Sequence, residues 1–201
     1  MSNLAAKGAG AMTDFEFVFS LLVILLGLGL TQVFGGLARV VKARPRVQLG
    51  WATGLLATWT TMRTIMFWRF IWRTRDTLPD TSVTLLAGTL ICGLYYFACA
   101  LVFPETVEGR MGLDDYFVQE KAKAIGALLA AMALAYSLRP AVLGWASWSY
   151  MKWSDVVSLA IIFGVGGLAM LTKRRRLAIA SLAVLVACDL LFSTARTLWS
   201  I

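Results

Sequence analysis

Asp189 stands in Val186-Ala-Cys-Asp-Leu-Leu191, near the middle of a long apolar run. A carboxylate at the centre of a bilayer costs about 2.5–3.5 kcal/mol on insertion scales, so it must be paired, protonated or in contact with water. Arg63 is the matching cation. It lies 15 residues past Gln48, and Asp189 lies 12 past Leu177. At ~1.5 Å per residue the two depths agree within about one turn if both helices run the same way. The expectation is an Arg63–Asp189 ion pair. It has two readings: a structural lock between helices, or part of an ion or proton path in which the pair opens or Asp189 titrates. Thr53, Thr60 and Thr64 share one narrow stripe of the Arg63 helix, taking ~100° per residue. They either line a polar path beside Arg63 or hydrogen-bond their own i−4 carbonyls and a neighbouring helix. Further along, Arg69 and Arg196 also sit at similar depths and are expected to snorkel toward the surface.

Other residues offer less chemistry. The loop from Pro104 to Phe117 holds Glu105, Glu108, Asp114 and Asp115. Paired carboxylates can hold a divalent cation or exchange protons. The spacing is not that of an EF-hand, and a solvated loop with Tyr116 and Phe117 dipping into the interface accounts for it. Gly27, Thr31 and Gly35 form a small-residue ridge; Ala122, Gly126 and Ala130 form a second, and Ala160 and Gly164 a third. Such ridges let helix backbones approach closely, inside a bundle or at a dimer seam. Gln32, beside the first ridge, is expected to hydrogen-bond across a helix interface. Cys92, Cys99 and Cys188 fall within apolar runs, without metal-site spacing, and read as small core residues.

Several chemistries are excluded or disfavoured. The chain has no histidine, which removes bis-histidine haem, histidine-ligated zinc or copper, and imidazole relays. It has no P-loop and no GxSxG motif, and no lysine lies mid-span to form a retinal Schiff base. No cofactor is implied. Arg63, Arg69, Arg73 and Arg75 lack the every-third-residue spacing of a voltage sensor.

These residues need helices to position them. Of the 201 residues 59% are apolar and 15% charged, with a mean hydropathy of +0.75, whereas a soluble domain carries about 25% charged residues. Six stretches are long enough for the ~20-residue crossing of a bilayer: 17–41, 48–72, 82–103, 122–138, 154–171 and 177–199. Pro45, Pro79, Pro104 and Pro140 fall at the breaks, where proline stops a helix. The expected fold is an all-α, six-helix integral membrane bundle with short loops. It forms one domain over 17–201 behind a polar tail at 1–16. The tail lacks the pattern of a cleaved signal peptide, and Met12 is a candidate true start.

Lysine and arginine set the expected orientation. Eleven of the 19 lie at one side, from Arg39, Lys42, Arg44 and Arg46 through Arg110, Lys121 and Lys123 to the run Lys173–Arg176. That side should be cytoplasmic, with both termini outside. Trp68, Trp72, Trp145, Trp148, Trp153 and Trp199 then map to the outer interface, an aromatic belt. The net charge of +8 belongs to span ends facing anionic lipid rather than to nucleic acid.

Three stretches carry a resemblance: Val23-Ile-Leu-Leu-Gly-Leu-Gly-Leu-Thr-Gln32 with Gly36-Leu-Ala-Arg39, then Phe67-Trp-Arg-Phe-Ile-Trp72, then Leu113-Asp-Asp-Tyr-Phe117. Together with Met12-Thr-Asp-Phe-Glu16 they resemble a family of uncharacterised bacterial membrane proteins of about this length. The resemblance implies a multi-pass protein of the bacterial inner membrane and carries no functional residues across. Two functions are therefore expected. One is a small ion or solute channel or transporter with Asp189, Arg63 and the threonines on its path. The other is a non-catalytic accessory subunit, held to other membrane subunits or to its own copies by the small-residue ridges. An enzyme acting on lipid or quinone at the aromatic face ranks third.

Overall fold

The computed structural model describes residues 14–43, 50–74, 81–105, 112–143 and 153–198. They form six helices: α1 (Asp14–Lys42), α2 (Trp51–Arg73), α3 (Ser82–Ala100), α4 (Leu113–Leu143), α5 (Trp153–Leu171) and α6 (Arg175–Leu198). There are no strands among the described residues. The ends carry local signals. The Thr81 hydroxyl accepts from the Thr84 amide at 3.2 Å and caps α3. Arg39 and Lys42 occupy the last turn of α1, where the helix dipole favours cations. The Thr74 amide donates to Phe70 and Ile71 and closes α2.

The odd-numbered helices run one way and the even-numbered ones the other. Side by side, α1 and α3 are parallel: Leu22 meets Gly88, Gly29 meets Cys99, and Gly36 meets Phe103. In contrast α4 and α5 are antiparallel, with Gly126 against Met170 and Leu129 against Gly166. Helix α2 is the central one, in contact with α1, α3, α4 and α6. Its buried face is Ala52, Thr53, Leu56, Trp59, Thr60, Thr64, Phe67 and Ile71. Large apolar side chains of the outer helices, such as Ile24, Leu28, Leu86, Leu90, Leu168 and Leu191, are exposed. In water that surface would be unfavourable; against lipid it is solvated.

Four helices hold stretches long and apolar enough to cross a membrane: α1, α3, α4 and α6. Helix α5 is apolar but shorter, over Asp155–Leu171. Helix α2 has the length but not the apolarity, because Arg63, Arg69 and its threonines interrupt it. The sequence reading counted all six stretches alike. The structure explains the difference for α2, which turns Thr53, Thr60, Thr64 and Arg63 toward its neighbours and leaves Ile65 and Trp68 exposed.

Helix α4 departs most from expectation. It begins at Leu113 rather than near 122, and continues through Pro140 to Leu143. Hydropathy hid the first part, where Asp115, Gln119 and Lys123 are exposed. The opposite face buries Leu113, Phe117, Ala124, Ile125 and Leu128, which is helical spacing. Phe117 is thus a core residue rather than an interfacial one. Tyr116 is half-buried and donates to the Leu101 carbonyl at 3.3 Å.

Candidate functional site

Arg63 and Asp189 meet midway along α2 and α6. A guanidinium N–H of Arg63 donates to Asp189 Oδ1, with side-chain exposures of 12% and 2%. Trp59 is fully buried one turn before Arg63. The Met132 sulfur lies 3.9 Å from the Arg63 guanidinium on the α4 side. Helices α2 and α6 run parallel, so equal distances from their starts place the two charges at one level.

The pair forms the floor of a cleft of about 190 Å³. Helix α2 contributes Arg63, Arg69, Phe70 and Arg73, and α3 contributes Tyr95. Helix α4 contributes Tyr136 and Arg139, α5 contributes Asp155 and Ser158, and α6 contributes Asp189 and Phe192. The last turn of α2, the part of α4 just before Pro140 and the first turn of α5 converge there. Dipoles favour Arg73 in the last turn of α2 and Asp155 in the first turn of α5. They do not account for the charges on the floor, which lie mid-helix.

The threonine stripe lies elsewhere. Thr53 donates to the Leu113 carbonyl at 3.1 Å, and Thr64 donates to Thr60 O at 2.9 Å with Cys99 Sγ at 3.8 Å. Thr60 is buried. None of the three lines the cleft; Thr53 and Thr64 bond to backbone, and all three face helix interfaces. Arg69 lines the cleft, and Trp68 and Trp72 are exposed beside it. Phe19 of α1 stacks obliquely on Trp72 at 5.4 Å. Trp153 is exposed at the start of α5. Trp145, Trp148, Trp199 and the Arg196 side chain lie outside the described residues, as does Glu108.

The ridges divide. Gly27, Gly35 and Gly164 have open space where a side chain would grow, and Thr31 bonds to its own helix at Gly27 O, 2.8 Å. Gly126 of the second ridge does meet a neighbouring helix, at Met170 of α5; the other approaches belong to Gly29 and Gly88 between α1 and α3, Gly36 against Phe103 just past α3, and Gly166 against Leu129 of α4. Gln32 Nε2 donates to Tyr96 Oη at 3.4 Å across α1 and α3.

The opposite end is held by charge. Lys121 is buried and its ammonium donates to the carbonyls of Ala169, at 3.0 Å, and Thr172 at the end of α5. Asp114 pairs with Arg175 and abuts Gly50, where an added Cβ would overlap its carboxylate. The described residues contain no group of three or more cysteine, aspartate or glutamate side chains placed to hold a metal ion. Sequence reasoning missed Lys121 as a cap and Tyr136, Arg139, Asp155 and Phe192 as cleft residues. Arg139 carried one signal, a cation within the reach of an apolar run.

No protein-family model, curated protein or solved structure matches the chain. The chemistry of the cleft therefore rests on its own residues.

Proposed function

We propose that the chain is a multi-pass carrier for a small solute, with the Arg63–Asp189 pair as its gate. One observation carries the reading: a cleft entered from one end of the bundle stops at a buried ion pair halfway along α2 and α6. A solute reaching that floor competes for Arg63 or Asp189. Parting the two charges frees α2 to move against α6. A buried pair suits such a switch because its net contribution to stability is small while breaking it is costly. The proposal includes the bacterial inner membrane, six passes with both termini outside, and assembly as a homo-oligomer. It is not enzymatic, and membership of the uncharacterised bacterial family stays part of it.

The test is solute flux in proteoliposomes. Asp189→Asn should abolish or re-tune flux while expression and helix content hold. Flux equal to the parent at equal incorporation sinks the gate. A second reading, a non-catalytic assembly subunit, is favoured by the face of α1 that carries the exposed Gly27 and Thr31 and the half-buried Gly35, with open space beside both glycines for another helix. Stoichiometric co-purification of other membrane subunits, lost on Gly27→Leu, would select it.

A further inference from the structure

The cleft holds more positive charge than its floor pair uses. Four guanidiniums, of Arg63, Arg69, Arg73 and Arg139, face two carboxylates, of Asp155 and Asp189. Asp189 is taken up by Arg63. Even with Asp155 ionised, the formal balance of the lining stays positive. Three buried polar atoms of this lining, Arg63 Nε, Arg139 Nε and Asp189 Oδ2, have no hydrogen-bond partner among the described residues. Native structures keep such atoms rare because an unmade bond costs free energy. Here the donors are guanidinium N–H groups, whose planar fork matches the oxygens of a carboxylate or phosphate. Between the cations the wall is apolar and aromatic, including Phe70, Tyr136 and Phe192. The volume of about 190 Å³ falls below the ~300–1,000 Å³ of pockets that enclose a whole drug-sized ligand. It admits a head group and the first part of a body, with the remainder outside.

We propose that this cleft binds the oxyanion head of an amphiphile, a carboxylate or phosphate carried on an apolar or aromatic body. The head lies on Arg139 and Arg69, and the body lies along Phe70, Tyr136 and Phe192. The inference rests on the reading of the cleft as a solute site and names the class of solute. Two sources share this chemistry: an anionic lipid of the bilayer and a soluble organic anion. In either case Arg139 supplies the fork and Arg69 the second cation.

The experiment uses the full chain in nanodiscs of neutral phosphatidylcholine, with phenyl phosphate or phosphatidylglycerol as probe. Binding of phenyl phosphate is read by calorimetry, and retention of phosphatidylglycerol by native mass spectrometry. Binding should weaken at least tenfold in Arg139→Gln and in Arg69→Gln, and less in Arg139→Lys, which keeps charge without the fork. Lys123→Gln, at the far end of α4, should bind as the parent does. Phenyl phosphate binding in neutral nanodiscs supports a soluble source, and selective retention of phosphatidylglycerol supports a lipid source. If neither probe binds, or if Arg139→Gln binds both as well as the parent while folded, the anion site is refuted. Arginine-dependent binding without flux would refute the carrier and leave the anion site standing. Flux with no anion binding would do the reverse.

Discussion

Replacing one or both members of the Arg63–Asp189 pair separates an energetic lock from a switch. Asp189→Asn removes the carboxylate and leaves Arg63, which cannot shed its charge, at 12% exposure beside a fully buried Trp59. Breaking one partner of a buried pair costs roughly 3–5 kcal/mol, and an unpaired arginine or aspartate at mid-membrane costs about 2.5–3.5 kcal/mol on insertion scales. Water in the cleft reaches Arg63 more readily than Asp189, which favours the lower end, about 3 kcal/mol. That is on the order of a hundredfold in the folded-to-unfolded ratio. Arg63→Gln should cost a similar amount. The double variant should cost less than either single, because an apolar or neutral pair often does as well as an ion pair. The assay is equilibrium unfolding in mixed micelles, followed by circular dichroism, as a double-mutant cycle. A coupling of about 2 kcal/mol or more is expected, against the 0.3–0.5 kcal/mol error usual for independent sites. Additive losses, or a single loss under about 1 kcal/mol, would refute the pairing as an energetic unit.

The Asp114–Arg175 pair is the contrasting case. Arg175 is half-exposed, so Asp114→Asn should cost no more than about 1 kcal/mol in the same micelle assay. Gly36→Ala should lose about 1–3 kcal/mol, because its Cβ would meet Phe103 Cβ at 2.6 Å. Gly35→Ala, with nothing within 4 Å, should be neutral or slightly stabilising, since glycine costs a helix about 0.5–1 kcal/mol. Lys121→Met leaves two α5 carbonyls without their donor and should lose about 1–3 kcal/mol. Hydrogen exchange of the last turn of α5 should rise in that variant.

Helix number and direction were legible because apolar runs are long and the breaks carry proline and basic residues. The level of the Arg63–Asp189 contact was legible too, since parallel helices of constant rise convert residue counts into depth. Azimuth was not. Gly35 and Gly36 differ by one position, yet only Gly36 meets a neighbour, Phe103 just past α3, and nothing in a single sequence says which face turns inward. The cleft was hidden for the same reason, because Arg69, Tyr136, Asp155 and Phe192 come from four helices. Lys121 looked like an ordinary end charge, and its role depends on where α5 stops, which the spacing within α4 does not encode.

The central place of α2 has a consequence for how the chain is made. Arg63 and Asp189 are 126 residues apart in sequence. At the ~5–20 residues per second of synthesis, Arg63 emerges roughly 6 to 25 s before its counter-ion exists. During that interval α2 gains α1, α3 and α4 as neighbours, but not the helix that carries its counter-ion. Chains arrested before α6 should therefore leave Arg63 without its counter-ion and open to quality-control proteases.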